Sequence, residues 1–232
     1  MKCIKQKNKA LPINNFDIKL SNSDELQKRH GELFPNSIRA LIVGPSNCGK
    51  TNAMLSMLLH RNGLKFENVY LYSKSLYQSK YKYLERIIRS IRGMGFYTFS
   101  NNDDVIPPDQ ARNNSVFIFD DVACDKQNNI RDYFSMGRHK NIDSFYLCQT
   151  YTRIPKHLIR DNANFLLVFK QDDLNLKHIF NDHIYGDMTF DAFKQICVEC
   201  WKDQYGFLCI DKDNDLDQGR YRKGFDHFFM KI

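Results

Sequence analysis

Ser37-Ile38-Arg39-Ala40-Leu41-Ile42-Val43-Gly44-Pro45-Ser46-Asn47-Cys48-Gly49-Lys50-Thr51 is the stretch whose reading decides the fold. Its first half is an apolar run of strand length, and its second half matches the spacing G-x-x-x-x-G-K-[ST] in full. A helix is expected directly after it, from about Thr51 to His60, with Gly63 placed to help end it. A strand, such a loop and a helix in that order make an anion cradle. Glycines let successive backbone N–H groups turn inward, and the helix N-terminus adds positive potential. The expected phosphate loop is thus Gly44, Pro45, Ser46, Asn47, Cys48, Gly49, Lys50 and Thr51. Lys50 would reach the β- and γ-phosphates of a nucleotide, and the Thr51 hydroxyl would ligate Mg2+. Cys48 is expected to pack as a small residue.

Outward from the loop, apolar runs of strand length alternate with helical patterns. Strands are expected at Val69–Tyr72, Phe96–Phe99, Val116–Phe119, Ser144–Leu147 and Phe165–Phe169. Tyr81, Leu84, Ile87, Ile88 and Ile91 recur at helical spacing, with Lys82, Arg86 and Arg89 on another side. Residues 101–114 are turn-rich and contain Pro107 and Pro108, a polar helix is expected over Gln127–Met136, and another begins near Pro155. From about Asp172 the tail adds two helices and the strand Tyr205–Asp211. Alternation of this kind implies βαβ units, and fully apolar strands imply a mostly parallel sheet covered on both faces. The expectation is an α/β protein of three layers with N- and C-terminal additions. Residues 1–35, polar and mixed, read as an arm or cap, and 36–232 as one domain with a helical and strand extension.

Composition bounds the rest. The chain has 232 residues, 42% hydrophobic and 26% charged, with 34 Lys+Arg against 27 Asp+Glu and a net charge of +7. That usage argues against a disordered, collagenous or coiled-coil chain. No apolar stretch nears the ~20 residues that span a bilayer, and the basic start lacks a secretory apolar region. The expectation is a soluble, non-secreted protein without membrane insertion. The positive excess suggests a polyanionic partner without establishing one. Seven scattered cysteines favour free thiols in a reducing compartment. Cys197 and Cys200 form a CxxC, but no second pair follows at ligand spacing, and DAFKQICVECWK reads as an amphipathic helix that packs its thiols.

Val116-Phe117-Ile118-Phe119-Asp120-Asp121 carries four apolar strand residues into two acids. Downstream of a phosphate loop, Asp120 is expected to hold the Mg2+ shell, and Asp121 to orient or deprotonate the attacking water. A second acid favours hydrolysis over nucleotide holding, and no Asn-Lys-x-Asp motif for a guanine base is present. Ser144-Phe145-Tyr146-Leu147-Cys148-Gln149-Thr150 is a strand with a polar tip. If it lies between the strands carrying the loop and Asp120, Gln149 falls beside the γ-phosphate, where its amide could sense phosphate and position water.

The ordered set GPSNCGKT, VFIFDD, GRHKNIDSFYLCQT and IPKHLIRDN resembles the viral genome-packaging ATPases of the FtsK–HerA superfamily, the poxvirus-type enzymes also found in virophages and Polinton-like elements. The similarity covers roughly Ile38 to Phe169, and YGFLCID is similar to the family's late strand. This resemblance implies a RecA-like P-loop NTPase core of the ASCE type. It also implies an oligomeric, ring-shaped motor that hydrolyses ATP with Mg2+ and drives double-stranded DNA into a preformed capsid. The implied partners are double-stranded DNA, further copies of the chain, and capsid or portal-vertex proteins. The implied place is the host cell interior (cytoplasm, virus factory or nucleus) or the virion. Family members often carry Glu where this chain has Asp121, whose side chain is one methylene shorter.

Ring motors of this kind complete each site with an arginine from the neighbouring subunit. Arg138, in Gly-Arg-His before the Gln-tipped strand, is the first choice, with Arg160 and Arg153 behind it. His139 beside Arg138 could contact a phosphate or a neighbouring subunit, and a satisfied structural histidine is the favoured reading. Lys82, Arg86 and Arg89 fit either contacts to DNA phosphates or a solvated helix face. Alternatives to the packaging reading are another FtsK–HerA-type translocase or helicase, a small-molecule kinase, and a nucleotide-gated assembly protein with incidental ATPase activity. On the packaging reading, 232 residues leave no room for a nuclease domain, and one subunit is too small to surround a duplex.

Overall fold

A computed structural model describes residues 28–230. Most of the expected arm, residues 1–27, lies outside the described residues. Of the rest of it, His30 and Phe34 are buried against the main body, and Arg29 donates to the carbonyl of Asn141 at 2.6 Å.

Among the described residues, nine strands form one sheet in the order β3-β2-β4-β5-β1-β6-β7-β8-β9. They are β1 (Arg39–Val43), β2 (Asn68–Ser73), β3 (Gly95–Phe99), β4 (Ser115–Asp120), β5 (Ile142–Cys148), β6 (Phe165–Val168), β7 (Leu208–Asp211), β8 (Tyr221–Lys223) and β9 (His227–Phe228). The helices are α1 (Lys50–Leu59), α2 (Ser79–Ser90), α3 (Asn128–Met136), α4 (Asp173–Ile179) and α5 (Phe190–Cys200). Strands β1 to β6 pair in parallel, and β7, β8 and β9 add on antiparallel.

Alternation along the central strands sends their side chains to two cores, because successive Cβ atoms point to opposite faces. Ala40, Ile42, Val69, Leu71, Val116 and Ile118 pack with Met54 of α1 and with Tyr81, Leu84 and Ile88 of α2. Leu41, Val43, Tyr70, Phe117 and Phe119 pack on the other face with Ile130 and Tyr133 of α3 and Phe193 of α5. Helix, sheet and helix are therefore the three layers that the alternating runs imply. Both cysteines of the CxxC are buried in α5 within the second core, and no cluster of three or more metal-ligating side chains occurs among the described residues. No described helix is long and apolar enough to cross a membrane.

Four local expectations are corrected. The helix expected from Pro155 is a single wide turn, Lys156–Arg160, broken by extended His157 and left-handed Leu158. Ile91 ends α2 at 47% exposure instead of joining its buried stripe. His139 is exposed in the Gly137–Lys140 turn and is not a satisfied core histidine. Strands β8 and β9 were not expected at all. They are short, polar and turn-flanked, and what holds β8 is tertiary. Buried Arg222 bridges to Asp211 of β7 at 2.7 Å and donates to the carbonyls of Gly219 and Leu33, so its charge is fully partnered.

Candidate nucleotide site

Three parallel strands end abreast at one edge of the sheet. Val43 of β1 pairs with Cys148 of β5, and Asp120 of β4 pairs with Leu147 of β5. Strand β5 thus lies between the strand leading into the loop and the strand delivering the acids, the condition on which the reading of Gln149 depended. Neighbouring strands lie about 4.8 Å apart, so Gly44, Asp121 and Gln149 leave the sheet side by side. They open onto a cleft of about 410 Å3 lined by Gly49, Lys50, Thr51, Asp120, Asp121 and Gln149, among others. That volume is in the range of small-ligand sites.

Residues 44–51 wrap the N-terminus of α1. Gly49 has φ +110°, and a Cβ there would also lie 3.3 Å from Phe169 and Tyr205. A Cβ at Gly44 would meet Phe169 at 2.5 Å and the Cys48 sulfur at 2.7 Å, so Gly44 is required by contact and Gly49 by its left-handed backbone. Asn47 is also left-handed, at φ 62°. Lys50 Nζ donates to the carbonyls of Gly44 at 2.6 Å and Pro45 at 2.8 Å, which folds the ammonium over the loop. No described side chain caps α1, so its first N–H groups and their positive potential face the cleft. Ser46, Asn47 and Thr51 line the cleft with Lys50, whereas Pro45 faces an adjoining depression. Cys48 is half-buried, and burial pushes its thiol pKa up.

Asp120 is buried at the end of β4. Desolvation raises its carboxyl pKa, opposed by a hydrogen bond that Tyr81 donates to Oδ2. Thr51 and Asp120 line the same cleft and offer it a hydroxyl and a carboxylate oxygen, a hard donor set that suits Mg2+. Few protein ligands are what a Mg2+ shared with substrate phosphates uses. Asp121 turns sharply away, left-handed at φ 56°, with its N–H on the carbonyl of Leu147. That conformation is uncommon outside glycine and most tolerated by Asn and Asp, and it exposes the carboxylate.

The candidate arginines separate. Arg138 is exposed in the turn before β5, at the opposite end of a seven-residue strand from Gln149, roughly 20 Å away along the sheet. Arg160 pairs with Asp182 at 2.8 Å and lies over the Tyr151 ring. Arg153 is exposed and lines a depression with Asp121, Cys148 and Gln149 of its own chain.

Sequence reasoning missed Tyr81 and Tyr205. Tyr81 read only as a helix-face apolar residue. Tyr205 read only as the first residue of the expected strand Tyr205–Asp211; the strand begins at Leu208, and Tyr205 lines the cleft from the turn after α5. A further network under the Gln149 loop was also unseen. The Tyr151 hydroxyl bonds Asp182 and His183, each at 2.8 Å, and Thr152 N–H donates to Asn175 Oδ1 at 3.0 Å.

The three-layer fold with its mostly parallel sheet matches the RecA-like core of ASCE P-loop NTPases. No protein-family model and no curated protein matches the sequence. Among solved structures, the fold is similar to the genome packaging NTPase B204 from Sulfolobus turreted icosahedral virus 2 in complex with sulfate. The TM-score is 0.55 at 16% identity, covering 84% of this chain and 98% of that one. The same NTPase in complex with AMP matches with a TM-score of 0.52 at 15% identity, over 76% of this chain and 94% of that one. The DNA-packaging ATPase B204 from Sulfolobus turreted icosahedral virus matches with 0.51 at 15% identity, over 75% and 92%. At these identities the shared property is the fold.

Proposed function

We propose that this chain is an ATP-hydrolysing motor that translocates double-stranded viral DNA into a preformed capsid, as an oligomeric ring. The observation that carries the hydrolase part is the convergence of Lys50, Thr51, Asp120, Asp121 and Gln149 on one cleft. The packaging part is supported by the likeness of fold to genome-packaging NTPases over most of both chains, together with the net charge of +7.

In this reading the loop N–H groups and Lys50 bind and orient the triphosphate. Thr51 and Asp120 hold Mg2+, which would neutralise charge on the β- and γ-phosphate oxygens. Asp121 accepts a proton from the attacking water, and the Gln149 amide aligns that water against the γ-phosphate. Arg138 acts in a neighbouring subunit's cleft, since it stands at the far end of its own β5. Residues 36–232 serve as the motor and residues 1–35 as an arm or cap. The partners are double-stranded DNA, further copies of the chain and capsid or portal-vertex proteins, inside the host cell or with the virion.

The test is the ATPase rate with and without double-stranded DNA across a salt series, for the parental protein and Lys50→Ala. A backbone-tracking motor is stimulated by DNA, loses that stimulation as salt rises, and loses turnover in Lys50→Ala. Turnover indifferent to DNA, or requiring a small phosphoryl acceptor, overturns the motor reading.

A further inference from the structure

The cleft described above is polar almost throughout. Its loop, acids and amide address phosphates and a metal, and none of them offers a surface to the flat, apolar face of a nucleotide base. Of the described residues lining it, Tyr205 alone is aromatic. Tyr205 is 58% exposed.

The backbone at Tyr205 makes the position more unusual. Its φ is +65°, in the left-handed region, where a bulky non-glycine residue is strained and where such strain marks functional sites. The turn that imposes this conformation is held on both sides. Trp201 Nε1 donates to the carbonyl of Val168 at 3.0 Å, tying the turn to the end of β6. Gly206 N–H donates to the Asp203 carbonyl at 3.0 Å, and a Cβ at Gly206 would lie 2.0 Å from the Cys200 carbonyl oxygen. The ring is thereby held against the phosphate loop, where a Cβ at Gly49 would lie 3.3 Å from Tyr205 Cβ and 3.7 Å from Cδ1. Thr51 and Asn52, in the first turn of α1, line the same cleft. A nucleoside leaving the loop past that first turn would enter the part of the molecule that Thr51, Asn52 and Tyr205 line together.

We infer that Tyr205 is the stacking platform for the base of the bound nucleotide, so that the C-terminal extension contributes to the substrate site. The inference rests on the phosphate-loop reading of the cleft and adds what holds the nucleoside. Stacking on one ring reads the face of a base and not its edge. It therefore favours purines over pyrimidines by their larger surface, and discriminates little between adenine and guanine.

The test uses the full chain and measures dissociation constants for ATP, GTP, CTP and inorganic tripolyphosphate. Tyr205→Gly removes the ring while suiting the left-handed backbone, so its melting temperature is expected to hold or rise. ATP and GTP binding should weaken about tenfold or more, with tripolyphosphate binding unchanged and the purine preference over CTP reduced. Tyr205→Phe should stay near the parental protein, and Tyr185→Ala, an exposed tyrosine away from the cleft, should change nothing. Parental ATP affinity in Tyr205→Gly overturns the inference. So does equal weakening of ATP and tripolyphosphate, which would make the ring a prop for the loop. The parent reading fails separately: a parental protein that binds neither ligand, or a Lys50→Ala protein that binds both as before, removes the phosphate site itself.

Discussion

Tyr81, on the buried face of α2, donates its hydroxyl hydrogen to Oδ2 of Asp120 at 2.5 Å, joining residues 39 apart in sequence. The bond ties a helix whose outer face carries exposed Lys82 and Arg86 to the acid at the end of β4. Tyr81→Phe keeps the ring and leaves a buried carboxylate without this donor. Such a loss is expected to cost about 1–3 kcal/mol of stability, read as a lower denaturant midpoint. ATPase activity should then need more Mg2+ for half-saturation. An unchanged midpoint and an unchanged Mg2+ requirement would show that the bond does nothing for Asp120.

Asp121→Asn preserves size and suits the left-handed conformation, because Asn tolerates it as Asp does. It removes the proton acceptor alone. Turnover should fall by about 10²–10⁴-fold with ATP binding close to parental. Loss of binding and turnover together would make Asp121 part of the binding surface, not the base.

Arg138→Ala is expected to bind ATP normally and to lose about 10³-fold or more of assembled turnover. Because the arginine would act across an interface, mixing Arg138→Ala with Lys50→Ala subunits should recover part of the activity. Some interfaces in the mixture then pair an intact phosphate site with an intact arginine. Parental turnover in assembled Arg138→Ala would overturn the finger role of Arg138 and leave Arg153, which lies beside Asp121 and Gln149 of its own chain, to stabilise charge in cis. Arg160 is a weaker candidate, being bonded to Asp182 within its own chain.

Beneath the Gln149 loop, Lys212 Nζ lies 3.3 Å from His183 Nδ1, and His183 Nε2 lies 2.8 Å from the Tyr151 hydroxyl. With Lys212 donating to Nδ1, the ring donates through Nε2 and is neutral. Burial first, and then the Lys212 charge, push its pKa down to about 3. The unfolded chain, with an ordinary histidine pKa near 6.5, binds a proton that the folded chain refuses between those values. Its contribution to stability is complete above about pH 6.5 and is lost progressively as pH falls toward 3. Unfolding free energies from urea titrations between pH 7.5 and 4.5 should therefore fall more gently in His183→Gln than in the parental protein, by up to about 1.4 kcal/mol per pH unit. Parallel profiles would refute the neutral, buried histidine.

Much of this was legible locally because the signals are local. GPSNCGKT specifies its own geometry: Gly44 has no room for a Cβ and Gly49 needs a left-handed backbone. VFIF, the run before the two acids, is apolar for its whole length because β4 is covered on both faces. The turn at Lys156–Arg160 was misread as a helix because Leu158 is forced left-handed, and apolar periodicity does not register one residue's dihedral angle.

Sequence alone determined that there would be a glycine-containing loop on a strand–helix junction, acids at the end of an apolar strand, and a mostly parallel α/β sheet. Each of these depends on residues adjacent in the chain, whose spacing sets their periodicity and turn chemistry. Only the tertiary structure decided that β5 lies between β1 and β4, so that Gln149 faces the acids. It alone brought Tyr81 to Asp120, engaged Arg160 with Asp182, and set Tyr205 against Gly49. These are contacts between residues distant along the chain. Strand order and the packing of two cores create them, and no short stretch of sequence carries that information.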